Sequence, residues 1–190
     1  MNNYKSDLSD EMFYKIQKIE VEIRGKYMRV SSHIEALLVK NLILLHEEKY
    51  VKYKLTKLLN LRGVMFDHKI SMLKSYLKRQ HTDLLKQYEK LFDHLLTFKK
   101  VRNNMAHSYF TWDKNDLTHV TVWELQLDED PHFYKEVKYT FHELNQTFID
   151  LVSPIMDDLN NLTYDLTVRL KPVLPYMFEE EGDIQPRPET

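Results

Sequence analysis

The chain has 190 residues, 43% hydrophobic and 29% charged, a size and composition that favour one folded domain over a disordered chain. It contains no cysteine and three glycines, which excludes disulfides, thiolate metal sites, cysteine nucleophiles and glycine-rich phosphate loops. The formal net charge of -2 hides an uneven distribution: residues 66–102 carry 9 Lys/Arg against 4 Asp/Glu, and residues 124–190 carry 5 against 15. A basic centre suits either a polyanionic partner or solvated helix faces. The longest apolar runs, such as Leu42 to Leu45, fall far short of the roughly 20 residues that cross a bilayer, and the start lacks a signal-peptide apolar region. A soluble cytoplasmic protein without membrane contact is expected.

No proline precedes Pro131, and only Gly25 and Gly63 interrupt the first 130 residues, a scarcity of breakers that suits long helices. Ser9 is placed to cap a first helix that carries Met12, Phe13, Ile16 and Ile19 and runs toward Gly25. Ser32 and Glu35 have capping-box spacing, and Ile34, Leu37, Leu38, Asn41, Leu42 and Leu45 follow at helical period. A second helix is therefore predicted over 33–49. Residues 50–65 are ambiguous, with Leu55, Leu58, Leu59 and Leu61 suggesting more helix before Gly63. Asp67 is placed to cap a short third helix with Ile70, Met72, Leu73 and Leu77.

From Thr82, the residues Leu84, Tyr88, Leu91, Leu95 and Phe98 alternate steps of four and three, which predicts one long core-facing helix. The same steps land on Arg102 and then Met105. An arginine on a buried seam is unusual, and either snorkels at the helix end or has a task there. Beyond Ala106, Phe110-Thr111-Trp112 and Val120-Thr121-Val122-Trp123 flank turn-prone Lys114-Asn115-Asp116, predicting a β-hairpin over about 109–125. A last helix fits 137–170, with a kink or break near Pro154. The sum is an all-α antiparallel bundle of four to five helices with an appended hairpin, a single domain over 1–171, and a Pro-rich acidic tail over 172–190. The opposed charges raise the further expectation that the acidic C-terminal third folds over the basic centre.

Most catalytic templates are missing. There is no HExxH pair, no GxSxG elbow and no phosphate loop, and Asp128-Glu129-Asp130-Pro131-His132 lacks the spacing of a defined ligand set. His33 and Glu35, two residues apart, cannot share a helix face. No metal and no cofactor is expected.

What remains is Val101-Arg102-Asn103-Asn104-Met105-Ala106-His107-Ser108-Tyr109. Imidazole titrates near neutrality and can move a proton from a ribose 2'-OH, while guanidinium offers a planar fork of donors to phosphate oxygens. In a straight helix a separation of five residues turns about 140° around the axis, so Arg102 and His107 do not face one another. They converge only if the helix ends near Met105 or if a second copy completes the site.

This segment resembles the R-x4-6-H motif of the HEPN superfamily, commonly R-N-x-x-A-H at the end of a long helix. Arg62 to His68 has an allowed spacing too, but is followed by Gly63 in a poorly periodic stretch, whereas Arg102 closes a long amphipathic helix with Asn103 and Ala106 in place. Residues Ser31 to Leu38 are similar to the early helix of such bundles. The resemblance implies a HEPN-like bundle, a homodimer with a shared composite site, and metal-independent cleavage of RNA in a toxin or phage-defence role. His107 would be the general acid/base, Arg102 the phosphate and transition-state stabiliser, and Asn103 an orienting residue, with Glu35 holding Arg102. Tyr109 completes R-x4-H-x-Y, similar to HEPN toxins whose nucleotidyltransferase-type antitoxin partner modifies that tyrosine with AMP; it is otherwise the aromatic start of the hairpin. The alternative is an inactive HEPN module that binds RNA, a nucleotide or a protein. A third reading makes Arg102 and His107 mere closers of the helix end.

Overall fold

Apolar residues recurring every three to four positions dominate the observed architecture. The computed structural model describes residues 10–46, 49–59, 64–113, 116–125 and 134–170. Ser9, Arg62, Gly63, Lys114, Asn115, the acidic cluster at 128–132 and the tail from 172 lie outside the described residues. Among those described, the chain forms helices α1 (Asp10–Leu44), α2 (Lys49–Leu59), α3 (Phe66–Gln80), α4 (Thr82–Gln87) and α5 (Glu89–His107). Strands β1 (Tyr109–Asp113), β2 (Asp116–Leu125) and β3 (Tyr134–Thr140) and helix α6 (Phe141–Leu170) follow. The chain is thus mostly helical, with one small antiparallel sheet in the order β1-β2-β3.

The first two predicted helices are one. Gly25 is helical, and Ser32 sits mid-helix with its hydroxyl donating to the Met28 carbonyl at 3.2 Å instead of capping a new start. A glycine costs about 1 kcal/mol inside a helix, too little to stop one that buries Tyr27, Ile34, Leu38 and Leu42 after it and half-buries Ile16, Ile19 and Ile23 before it. Helix α1 also stops at Leu44, short of 49. The predicted helix from Thr82 is in turn broken: Tyr88, at φ -106 and ψ 27, separates α4 from α5. Its ring is buried and its hydroxyl donates to Asp165 Oδ2 at 2.7 Å, so a tertiary hydrogen bond holds the residue where the apolar steps predict continuity. Asp67 does not cap α3; Met65 occupies that place without a side-chain bond, and Asp67 lies in the first turn, favourable with the helix dipole.

The hairpin is present, with Tyr109 opposite Trp123 and Val122 opposite both Phe110 and Val137. A third strand extends it over residues 134–140, so residues 137–140 are strand and the last helix starts at Phe141. Thr140 and Glu143 fix that start reciprocally. The Thr140 N–H and hydroxyl donate to Glu143 Oε2 at 2.7 and 2.9 Å, and the Glu143 N–H donates to Thr140 Oγ1 at 3.1 Å, a capping box. These bonds hold the Glu143 carboxyl below its ordinary value. Pro154 does not break α6, which runs through it as one helix. Proline removes one backbone bond, and the buried neighbours Val152, Ile155 and Leu159 keep the axis continuous.

The described residues form two compact units, one within 1–35 and 89–157, the other within 36–88 and 158–190. The first has its core on Tyr27, Ile34, Leu91, Phe92, Leu95, Phe98, Met105, Val120, Val122 and Leu144. Tyr27 and Phe148 meet edge to face at 4.8 Å, a favoured aromatic geometry. The second buries Leu38, Leu42, Leu59, Leu73, Leu77, Leu84, Leu159, Leu162 and Leu166, with the polar residues Asn41, Lys69 and Thr163 buried among them. The Asn41 amide donates to the carbonyls of Leu37 at 3.0 Å and Leu159 at 3.3 Å, and its oxygen accepts from Thr163 Oγ1 at 3.1 Å.

Candidate functional site at the end of helix α5

Helix α5 carries two stripes with different surroundings. Leu91, Leu95, Phe98 and Met105 are buried, and Arg102 falls among them by the same steps of four and three. Leu96, Lys100, Asn103 and His107 form the other stripe, where Asn103 is half-buried and the rest are exposed. His107 is the last helical residue, and the Ser108 N–H still bonds the Asn104 carbonyl at 2.7 Å, so the α-helical turn is intact through the motif. Of the two conditions for convergence, an early helix end is not met. Arg102 and His107 diverge by about 140° on one helix.

Asn103 connects the stripes. It precedes His107 by one turn, and its Oδ1 accepts a 2.9 Å bond from Arg102 Nη1. The Arg102 guanidinium donates there and not to Glu35, the partner expected from the sequence, which lies half-buried on α1. Arg102 Nε is enclosed and has no hydrogen-bond partner. A guanidinium carries five N–H donors, so the cation holds hydrogen-bonding capacity for something beyond these contacts. The His107 imidazole makes no hydrogen bond among the described residues. Tyr109, 52% exposed, opens β1.

A residue that the motif does not contain closes the helix. Arg24 of α1 donates from Nη1 to the carbonyls of Met105 at 2.7 Å and Ala106 at 2.8 Å, and from Nη2 to the carbonyl of Ser108 at 2.7 Å. Its Nε and Nη2 also donate to Glu20 Oε1 at 3.0 and 2.7 Å, and its guanidinium carbon lies 4.8 Å from the Phe110 ring centroid. The orphan carbonyls of a helix end need donors, and a cation there also suits the dipole. Because Arg24 supplies both, neither Arg102 nor His107 is needed to finish the helix, which removes the reading of the pair as simple helix closers.

The sequence alone does not reveal this role of Arg24, because the carbonyls it binds lie 81 to 84 residues away. The i, i+4 spacing of Glu20 and Arg24 marks only an ordinary helical ion pair. Among the described residues no group of three or more His, Asp or Glu is placed to hold a metal ion. None of the described helices is long and apolar enough to cross a membrane. No protein-family model, curated protein or solved structure matches this chain.

Proposed function

We propose that the chain is a HEPN-type, metal-independent endoribonuclease that works as a homodimer, in a toxin or phage-defence role. The observation that carries this reading is the state of the motif. An exposed histidine and an incompletely bonded arginine sit at a helix end that a different arginine already closes. Retaining both side chains there serves no local need of the helix.

In the proposed reaction the His107 imidazole takes the proton from a ribose 2'-OH, and the 2'-oxygen forms a bond to phosphorus as the bond to the 5'-oxygen breaks. The leaving 5'-oxygen takes up a proton, giving a 2',3'-cyclic phosphate and a 5'-hydroxyl. Arg102 balances the charge growing on the phosphoryl oxygens. Asn103 holds the guanidinium orientation through its 2.9 Å bond. Since the two groups diverge within one subunit, each site takes Arg102 from one copy and His107 from the other.

The test is cleavage of a mixed tRNA and mRNA pool in EDTA, comparing the native chain, His107→Ala, Arg102→Ala and an equimolar mixture of the two variants. Both variants alone should be inactive. The mixture should recover about a quarter of native activity, half the dimers being mixed and each mixed dimer holding one whole site. Retained cleavage by His107→Ala removes the assigned role. A native chain that binds this RNA without cutting it shows a binding module instead. Tyr109, exposed beside the motif, is the residue on which a nucleotidyltransferase-type partner would act.

A further inference from the structure

Six large apolar residues are exposed within the first unit among the described residues: Tyr14, Val21, Met28, Leu96, Tyr109 and Ile149. Three of them, Tyr14, Val21 and Met28, lie seven residues apart on α1, and Tyr14 and Val21 are each 69% exposed. Between them, at alternating steps of four and three, fall Lys18 and Gly25, and the next step is Ser32; all are exposed. A seven-residue repeat of apolar positions is the geometry by which one helix packs along another. At its middle, a Cβ built on Gly25 meets nothing within 4 Å. Glycine there leaves the backbone bare, so a second helix can cross at about 8 Å, the short end of helix packing distances.

The charges beside this stripe are self-complementary. Glu22 and Arg29 are exposed, three residues before and four residues after Gly25; Glu22 pairs with Lys26 of its own helix at 3.2 Å and keeps its exposed face, while Arg29 makes no ion pair among the described residues. An antiparallel two-fold crossing at Gly25 sets Glu22 of each copy against Arg29 of the other, so one contact occurs twice, as an isologous interface requires. Arg24, one residue from Gly25 and turned about 100° from it around α1, binds the carbonyls beside His107. The same crossing therefore brings two motif ends to one interface.

We infer that the Tyr14, Val21, Gly25 and Met28 face of α1 docks on the same face of a second copy of this chain, in an antiparallel crossing centred on Gly25. The inference builds on the homodimer of the proposed nuclease but is tested without RNA. The full chain has no cysteine, so single substitutions report cleanly. Gly25→Cys should cross-link most of the protein into disulfide dimers under mild oxidation, with Tyr164→Cys, also exposed and on α6, as the control. In sedimentation equilibrium on non-oxidised protein, Arg29→Glu should weaken the dimer by about tenfold, two pairs turning repulsive at once. Combining it with Glu22→Arg should restore the native value. A monomer at all concentrations overturns the inference, as do equal cross-linking at position 164 or a double swap that does not restore. Intact dimers that never cut RNA refute the nuclease reading alone; cutting by a chain that stays monomeric refutes this interface together with the shared site, while a dimer that cuts RNA but does not cross-link through position 25 refutes this interface alone.

Discussion

Asn41 and Arg102 each lie along an apolar seam, one in each unit, and they are treated oppositely. Asn41, fully buried in the second unit, has both amide donors and its oxygen engaged, by Leu37, Leu159 and Thr163. Arg102, half-buried in the first, donates to its own neighbour Asn103 and has an enclosed Nε with no partner. A satisfied buried network costs little and fixes how helices register, whereas an unsatisfied cation lowers stability. The first pattern is that of architecture. The second is the pattern that the proposed function expects of a group that meets a substrate phosphate.

The largest expected effects fall on the motif. His107→Ala should lower cleavage by at least about a hundredfold, the usual scale of general acid–base catalysis, while the melting temperature stays unchanged because the side chain is exposed. Arg102→Met sharpens the comparison: cleavage should fall as far, yet urea denaturation should give equal or slightly higher stability, an apolar chain replacing a partly desolvated cation. A clear loss of stability would place Arg102 among the structural residues.

Asn41→Asp should behave the other way, costing about 3 kcal/mol in urea denaturation and leaving RNA cleavage intact wherever the protein is folded. The change replaces two donors aimed at carbonyls with a buried carboxylate. Arg24→Ala should cost about 2 kcal/mol, in line with hydrogen bonds to charged groups, and should speed amide exchange at the α5 end. A silent Arg24→Ala would mean that water caps the helix as well as the guanidinium does.

Smaller effects appear against pH. Burial and the bond to Asp165 push the Tyr88 hydroxyl above its ordinary range. A group whose pKa is raised on folding contributes fully below its unfolded value, near 10, and loses that contribution as pH rises. Stability should decline above about pH 10, and Tyr88→Phe, at a cost of about 1 kcal/mol near neutrality, should flatten that slope. Glu143 has the opposite sign. Its bonds to Thr140 lower its pKa, so its contribution is present above the ordinary carboxylate range and is lost on acidification. Glu143→Gln should reduce the acid-side slope slightly in a pH series of melting curves.

The legible features were those carried by local period. The stripe through Leu84, Leu91, Leu95, Phe98 and Met105, the placement of Arg102 upon it, and the strands around Phe110 and Val122 follow from spacing and residue type alone. So did the motif and its place at a helix end. The capping box Thr140 to Glu143 was equally present in the sequence, and marks where the last helix begins. Strand β3 was hidden because it is an edge strand with exposed Lys135, Glu136 and Lys138, charges that protect an edge and erase the alternation that would reveal it.

The sequence by itself determined the helical class, because scarce breakers and apolar residues at helical period leave few other ways to bury a core. Tertiary structure decided the rest. Packing carried α1 through Gly25, since burial from Tyr27 onward and partial burial of Ile19 and Ile23 before it outweigh one glycine, and a hydrogen bond across 77 residues set the break at Tyr88. The closure of the motif helix belongs to Arg24, whose bonds to Met105 and Ser108 exist only once distant segments are brought together. Local spacing encodes which face a residue takes, while contacts across the chain decide which neighbour it meets there.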